Sequence, residues 1–412
     1  MPARRLSAEW VYPVTAQPIT LGAVLVGEDG RILAVGRDAE VPRPPGVPAE
    51  HFPDAILMPG LVNAHTHLEL TGLAGQVDEP RFDAWIRSVR SLKEMRSVED
   101  FRVAARKGVQ QCFAAGVTTV AETGDSGSVV EALDELGGRG VVFQEVFGTH
   151  PGQCEDSIAA LASRVALLET FASDHLRIGV SPHAPYTVSG SLYRAVAVLA
   201  RNEGLAMAVH IAESQAESDL LATGTGPFQQ AWRKRGIPLP EPLGDSPIAW
   251  LERHGILGPG LLCIHSIRVD ETDIDLLARR ECAVAHCPVS NRAHGHGDAP
   301  LRALLDAGIP VGLGTDSEIS ASPDLLAEAR LARELAGLSA SEALQLATMG
   351  SAEAIGWGEA IGGLEAGRWA DLVVRQSRGA VTADTVAEQL LDSTDEDVVL
   401  TTVAGVDRYR TS

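Results

Sequence analysis

Lysine is nearly missing from this chain. Among 412 residues it occurs three times, at Lys93, Lys107 and Lys234, and 34 basic residues face 55 acidic ones. The formal net charge of −21 argues against nucleic acid and anionic membranes as partners, because both demand a basic surface. Cysteine is sparse too. Cys112, Cys154, Cys263, Cys282 and Cys287 are odd in number and form no C-x-x-C pair, so neither a disulfide framework nor a cysteine zinc site is expected. No apolar run approaches the roughly 20 residues of a membrane span, and the opening "MPARRLSAEW" lacks the apolar core of a signal peptide. A cytoplasmic protein is the expectation.

What is present is an ordinary globular composition, 45% hydrophobic and 22% charged, in a chain long enough for a large domain plus a smaller one. "GAVLVGEDGRILAVG" places two apolar runs around a turn, a hairpin signal, and the Pro-rich "VPRPPGVPAEHFPD" reads as a loop. Eight short apolar strands then alternate with helical stretches: "LVNAHTHLE", "VTTVAETG", "VVFQEVFG", "LRIGVSPHAPYT", "LAMAVHIAES", "LLCIHSIRV", "CAVAHCPVS" and "IPVGLGTDS". That count predicts an α/β fold, a (β/α)8 TIM-like barrel. A doubly wound open sheet is disfavoured because no G-x-G-x-x-G follows any strand. Beyond about residue 360 the texture returns to β. The expected organisation is a barrel over 58–360 and a small β-sandwich built from both chain ends, 1–57 and 361–412. Residues 215–247 are weakly patterned and read as a long loop at the barrel mouth.

Barrel enzymes carry their chemistry at the C-terminal ends of the strands. Here those ends hold His65, His67, Glu122, Glu145, His183, His210 with Glu213, His265, His286 and Asp316. Taken singly each has a plain reading: a satisfied core histidine, or for Asp316 a helix cap. His65 and His67 share one side of a strand, so they either grip a metal or pack in the core. Together the polar ends are expected to converge above the barrel. His65, His67, His210 and Asp316 supply three imidazoles and a carboxylate, a set suited to one divalent ion, zinc first and iron(II) second. Glu213 is placed to move a proton to a leaving group, His265 to orient water, and Asp316 to serve as both ligand and base. With no lysine on a strand, a two-metal site bridged by a modified lysine is not available. The H-x-E with P-C-x-x-C signature of zinc cytidine deaminases is absent.

"PGLVNAHTHLE", "SPHAPYT", "HIAES", "AHCPVSN", "GLGTDS" and "GLEAGRWADLVV" together resemble the amidohydrolase superfamily, in its cytosine-deaminase and chlorohydrolase-like branch, over nearly the whole chain. The resemblance implies a metal at His65, His67, His210 and Asp316, with Glu213 and His265 as catalytic partners. By spacing from the H-x-H motif it also implies substrate contacts from Trp85 and Glu94, as in deaminases of S-adenosylhomocysteine type, and one from His183. A helix face is the structural reading of Trp85 and Glu94. The segment after Glu213 is similar to aminodeoxyfutalosine deaminases, which implies a purine-nucleoside-like substrate, 6-aminodeoxyfutalosine, in an alternative menaquinone pathway. The resemblance further implies a homodimer. Cyclic-amide or chlorotriazine hydrolysis is the alternative enzyme reading, and a barrel without catalysis, acting as a scaffold, is the third. His294 and His296 depart from the pattern of relatives and are read as having no role, and His286 is left unassigned.

Overall fold

The computed structural model describes residues 2–411 and contains two β-sheets. The first is built from the chain ends. Strands β1 (Arg4–Val11), β2 (Ile19–Val26), β3 (Ile32–Arg37) and β4 (Ala49–Pro59) come from the start of the chain. The other sheet takes the next eight strands: β5 (Leu61–Thr66), β6 (Val117–Gly124), β7 (Arg139–Val146), β8 (Leu176–Pro182), β9 (Ala206–Ile211), β10 (Leu262–His265), β11 (Ala283–His286) and β12 (Val311–Leu313). Then β13 (Leu372–Gln376), β14 (Val398–Val403) and β15 (Val406–Arg410) return to the first sheet, whose order is β15-β14-β13-β4-β1-β2-β3.

The eight inner strands are parallel and hydrogen-bonded in sequence order from β5 to β12. The ring closes where the chain after β12 meets β5: the Asp316 amide donates to the His65 carbonyl and the His67 amide to the Asp316 carbonyl. Gly314 makes that approach feasible, since a Cβ there would lie 2.7 Å from the His65 Cβ. Each of the eight expected strands is present, and the fold is a TIM-like barrel with a separate sheet from both ends. No helix among the described residues is long and apolar enough to cross a membrane.

Strand alternation partitions the core. Val62, Ala64, Ala121, Val141, Phe143, Ala208, Leu262 and Ile264 pack in one buried cluster, with Ile355, Trp357 and Ile361 plugging it from the C-terminal helical region. Val120, Val142, Val180, Val209, Cys263 and Val284 belong instead to the cluster that includes the surrounding helices. Period-two patterning of an all-parallel barrel produces this division. Two helices matter for the site. Helix α1 (Phe82–Glu94) lies across the barrel mouth, and α2 (Val98–Ala114) starts from a capping box between Ser97 and Asp100. Residues 215–247 are not one long loop: Gln215–Thr223 and Gly226–Lys234 are helical, the first capped by Ser214 and ended by Gly224, the second buried through Phe228 and Trp232. Short helices separated by glycines give little periodicity to read, which explains the difference.

Candidate metal and proton-transfer site

Three imidazoles and a carboxylate meet at the barrel mouth. A register shift in the β5–β6 pairing between Asn63 and Thr66 interrupts the alternation of β5. His65 is completely buried, and Thr66 turns away to donate to the Glu122 carboxylate at 2.6 Å. The ring centroids of His65 and His67 are 4.8 Å apart, and His210 lies 4.9 Å from His65 and 5.4 Å from His67. The Nε2 atoms of His65 and His67 each stand 3.5 Å from Asp316 Oδ1.

The remaining polar atoms hold these groups in one orientation. His67 Nδ1 donates to the Thr123 carbonyl (2.8 Å) and His210 Nδ1 to the His183 carbonyl (3.2 Å), so each ring presents Nε2 to the cluster. The Ser290 hydroxyl donates to Asp316 Oδ2 at 2.6 Å. Burial pushes His67 down to about 4 and His210 well below its ordinary value. Burial opposes the Asp316 charge, but the neighbouring His67 and His65 outweigh it and hold that carboxyl well below the usual range. Both His65 ring nitrogens are buried without a hydrogen-bond partner, a costly arrangement unless something accepts them. Buried imidazoles that present Nε2, an ionised carboxylate and orphaned nitrogens fit a divalent metal ion.

Glu213 follows directly. The chain leaves β9 through Ala212 at φ 52°, and the buried Glu217 carboxyl accepts from the amides of Ala212 and Glu213, both at 2.9 Å. That bracket directs Glu213 into the mouth, where Tyr186 Oη donates to Oε2 (3.2 Å) and His265 Nε2 lies 3.6 Å from Oε1. Burial, with the Asp316 charge added, pushes the Glu213 carboxyl well above its ordinary range, toward the protonated acid. His265 itself is re-aimed. Leu262 and Ile264 fill the barrel and Cys263 faces the helices, so alternation would send His265 outward with Cys263. A φ of 74° at His265 turns it in, and Asn291 Oδ1 accepts from its Nδ1 at 3.0 Å. Asp316 also has a positive φ, 55°. Left-handed backbone at non-glycine residues is costly and concentrates at functional sites.

An aromatic wall stands beside Glu213. Phe82 and Trp85 of α1 stack at 6.0 Å, and Tyr186 stacks on Phe228 at 4.3 Å. Trp85 reaches the ring of His294 at 4.5 Å, and His183 lies 4.8 Å from His210 with Nδ1 paired to Thr187. Trp85 and His183 are thus brought to the mouth. Glu94 is not. Its side chain is 61% exposed and accepts from Arg90 at 2.8 Å. Nine residues of continuous helix turn through two and a half revolutions, so Trp85 and Glu94 occupy opposite faces of α1.

Convergence of every strand-end polar residue is also corrected. Glu122 accepts from Thr66 and the Leu68 amide and so fastens the loop after β5, and His286 is buried outside the three His/Asp/Glu groupings at the mouth. The residue on the inward stripe of α1 is Lys93, which follows Phe82, Ile86 and Val89 at helical spacing. It pairs with Glu69 (2.6 Å) and Asp125 (2.7 Å). Glu145 is close to His183 and His210. Sequence reading also missed Asn291, Tyr186, Glu217 and His296, whose Nε2 lies 3.7 Å from Glu213 Oε1. The rarity of lysine, and the position of Glu217 four residues after Glu213, were the available signals.

Comparison with known proteins agrees with this geometry. The amidohydrolase family model matches residues 56–406. A 5-methylthioadenosine/S-adenosylhomocysteine deaminase of Syntrophobacter fumaroxidans is 31% identical over 334 residues, covering 77% of this chain and 72% of that protein. A zinc-bound adenosine deaminase of Xanthomonas campestris superposes with a TM-score of 0.85 at 26% identity, over 98% of this chain and 92% of that one. Helicobacter pylori aminofutalosine deaminase, in complex with methylthio-coformycin, shares the fold with a TM-score of 0.85 at 21% identity, over 98% and 99% of the two chains. With the family match spanning the barrel and reaching strands of the outer sheet before and after it, the chain belongs to the amidohydrolase family and is a hydrolytic enzyme acting on carbon–nitrogen bonds.

Proposed function

We propose that this protein is a metal-dependent hydrolytic deaminase of an adenine-type ring carried by a small nucleoside-like molecule. The observation that carries the reading is the buried Glu213 carboxyl, set between the histidine–aspartate cluster and an aromatic wall. His65, His67, His210 and Asp316 would hold one divalent ion, zinc before iron(II). Such an ion supplies Lewis acidity that makes water a competent nucleophile at neutral pH.

The protein's own groups do the rest. His265, fixed by Asn291, orients the water, and Asp316 accepts a proton from it. Glu213 donates its proton to the ring nitrogen beside the amino-bearing carbon as the water oxygen adds there. Asp316 then passes its proton to the departing amine while Glu213 takes up the proton of the added hydroxyl, the carbon–nitrogen bond breaks, and ammonia leaves. Trp85 and His183 would line the ring and sugar, and the stacked aromatics exclude water.

For the substrate, the sequence favours 6-aminodeoxyfutalosine, and hence an alternative menaquinone pathway. The 31% identical relative favours 5′-methylthioadenosine and S-adenosylhomocysteine as the second reading. Ammonia release is the test, with 6-aminodeoxyfutalosine, 5′-methylthioadenosine, S-adenosylhomocysteine, adenosine, guanine and cytosine in one panel. Turnover of the first alone supports the specific reading. Equal turnover of the three adenine nucleosides with thioether or ribose tails supports the broader one. No ammonia from the panel, with ring opening of a cyclic amide or chloride release from a chlorotriazine in a parallel assay, sinks both, and a metal-free protein that stays inert after reconstitution leaves the scaffold.

A further inference from the structure

His296 is a buried titratable group beside Glu213 that the chemistry above does not use. It is 6% exposed, and its Nε2 is buried without a hydrogen-bond partner. That nitrogen lies 3.7 Å from Glu213 Oε1, and His265 Nε2 lies 3.6 Å from the same oxygen. Both separations exceed a hydrogen bond, while Oε2 is held by the Tyr186 hydroxyl at 3.2 Å. The carboxyl is therefore pinned at one oxygen, with the other flanked nearly equally by two imidazoles.

The two imidazoles face different parts of the site. His265 stands on the side of the histidine cluster, with its ring 5.6 Å from that of His210 and 5.8 Å from that of His65. His296 stands on the side of the aromatic wall, edge-on to Phe82 at 4.4 Å. Both are fastened to one residue. Asn291 accepts from His265 Nδ1 through its side chain, and from the His296 amide (2.9 Å) through its backbone carbonyl. Gly295 (φ 66°) and Gly297 (φ 96°) flank His296, and a Cβ at either would meet nothing within 4 Å. Conformation, not space, requires glycine there: the "HGHG" turn is shaped to present this histidine inward.

We propose that His296 is a positioning residue for the Glu213 carboxyl, holding it toward the substrate side while His265 holds it toward the water side. The inference rests on Glu213 being the proton carrier. A carrier must take its proton at one place and deliver it at another, and a carboxyl pinned at Oε2 does so by small rotations of Oε1 between the two imidazoles, meeting the unprotonated His265 Nε2 on one side and a His296 Nε2–H on the other. Burial pushes His296 down to about 4, so it is a neutral hydrogen-bonding group that neither repels nor neutralises a cationic leaving group.

The test compares H296A, H296F and H296Q in the metal-loaded enzyme. Phenylalanine keeps the packing on Phe82 without a polar atom, and glutamine restores an N–H donor. In the best substrate of the panel, H296A and H296F are expected to lose roughly 10–100-fold in kcat with KM within about threefold, and H296Q to recover most of the loss. Metal content and Tm should match the wild type. Independently of any substrate, the infrared carbonyl band of the Glu213 acid, identified with E213Q, should shift in H296F and return in H296Q. An H296F enzyme with wild-type kcat, a loss confined to KM, or an unshifted carboxyl band overturns the proposal. If the wild type is inert toward the whole panel, the deaminase reading fails and the carboxyl band alone decides the role of His296.

Discussion

At the scale of single residues, the site depends on backbone that only a few positions adopt. Ala212, His265 and Asp316 all have positive φ, and each lies where a strand hands its side chain to the mouth. Such conformers cost about 1–3 kcal/mol each and persist because neighbours fix them: Glu217 brackets Ala212 and Glu213, and Asn291 holds His265. The consequence for chemistry is direct. Replacing Glu213 by Gln keeps the shape and the Tyr186 contact but removes the transferable proton. E213Q should lose about 10²–10⁴-fold in kcat, with unchanged metal content by elemental analysis. A variant that retains full turnover would remove Glu213 from the mechanism.

At the scale of elements, α1 is held over the mouth at both ends. Phe82 and Trp85 stack on the aromatic side, and Lys93 enters between Glu69 and Asp125 on the other. Burial alone would raise the Glu69 carboxyl, but Lys93 outweighs it and brings Glu69 down to about 2. A depressed carboxyl stabilises the fold above its unfolded value near 4, and that stabilisation fades as pH falls toward 2. Replacing Lys93 by Met leaves a nearly inaccessible carboxylate without its cation, at a cost of about 3 kcal/mol near neutrality. The sign of the pH dependence should then reverse. With Lys93 gone, burial raises Glu69, so K93M should gain stability on acidification from pH 7 to 5 while the wild type does not. Denaturant midpoints across that range measure it. Parallel curves for the two proteins would show that the pair does not hold α1.

At the scale of the molecule, one buried ion pair ties the outer sheet to the barrel. Arg139, the first residue of β7, donates from Nε to Asp371 Oδ2 at 2.6 Å and from a terminal nitrogen to Oδ1 at 3.2 Å. Both side chains are almost fully buried, and Asp371 also accepts from the Ala404 amide. Asp371, in the "GLEAGRWADLVV" stretch immediately before β13, is therefore the clamp of the outer sheet onto the barrel. R139A leaves the buried Asp371 side chain without its cation, and should destabilise by about 3–5 kcal/mol. A matching loss in D371A, with the double variant no worse than either, is the expected double-mutant cycle. Additive losses would mean the two residues act separately.

Sequence by itself determined the eight strands, the return of the chain ends to a shared β region, expected as a sandwich and built as one seven-stranded sheet, and the arrival of His65, His67, His210 and Asp316 at strand ends. All follow from period-two patterning and from which residue types end an apolar run, information local to each segment. Trp85 was legible through its motif spacing, but Glu94 was not, because spacing says nothing of which face a helix turns inward. Tertiary structure alone decided that Lys93 is the inward residue, that His265 is turned in by a left-handed backbone against its own alternation, and that His296 stands beside Glu213. His296 lies 83 positions beyond Glu213, in an "HGHG" turn that carries no periodicity of its own. Parallel pairing of β9, β10 and β11 as neighbours in the barrel gathers the residues at their ends and in the loops that follow around one carboxyl.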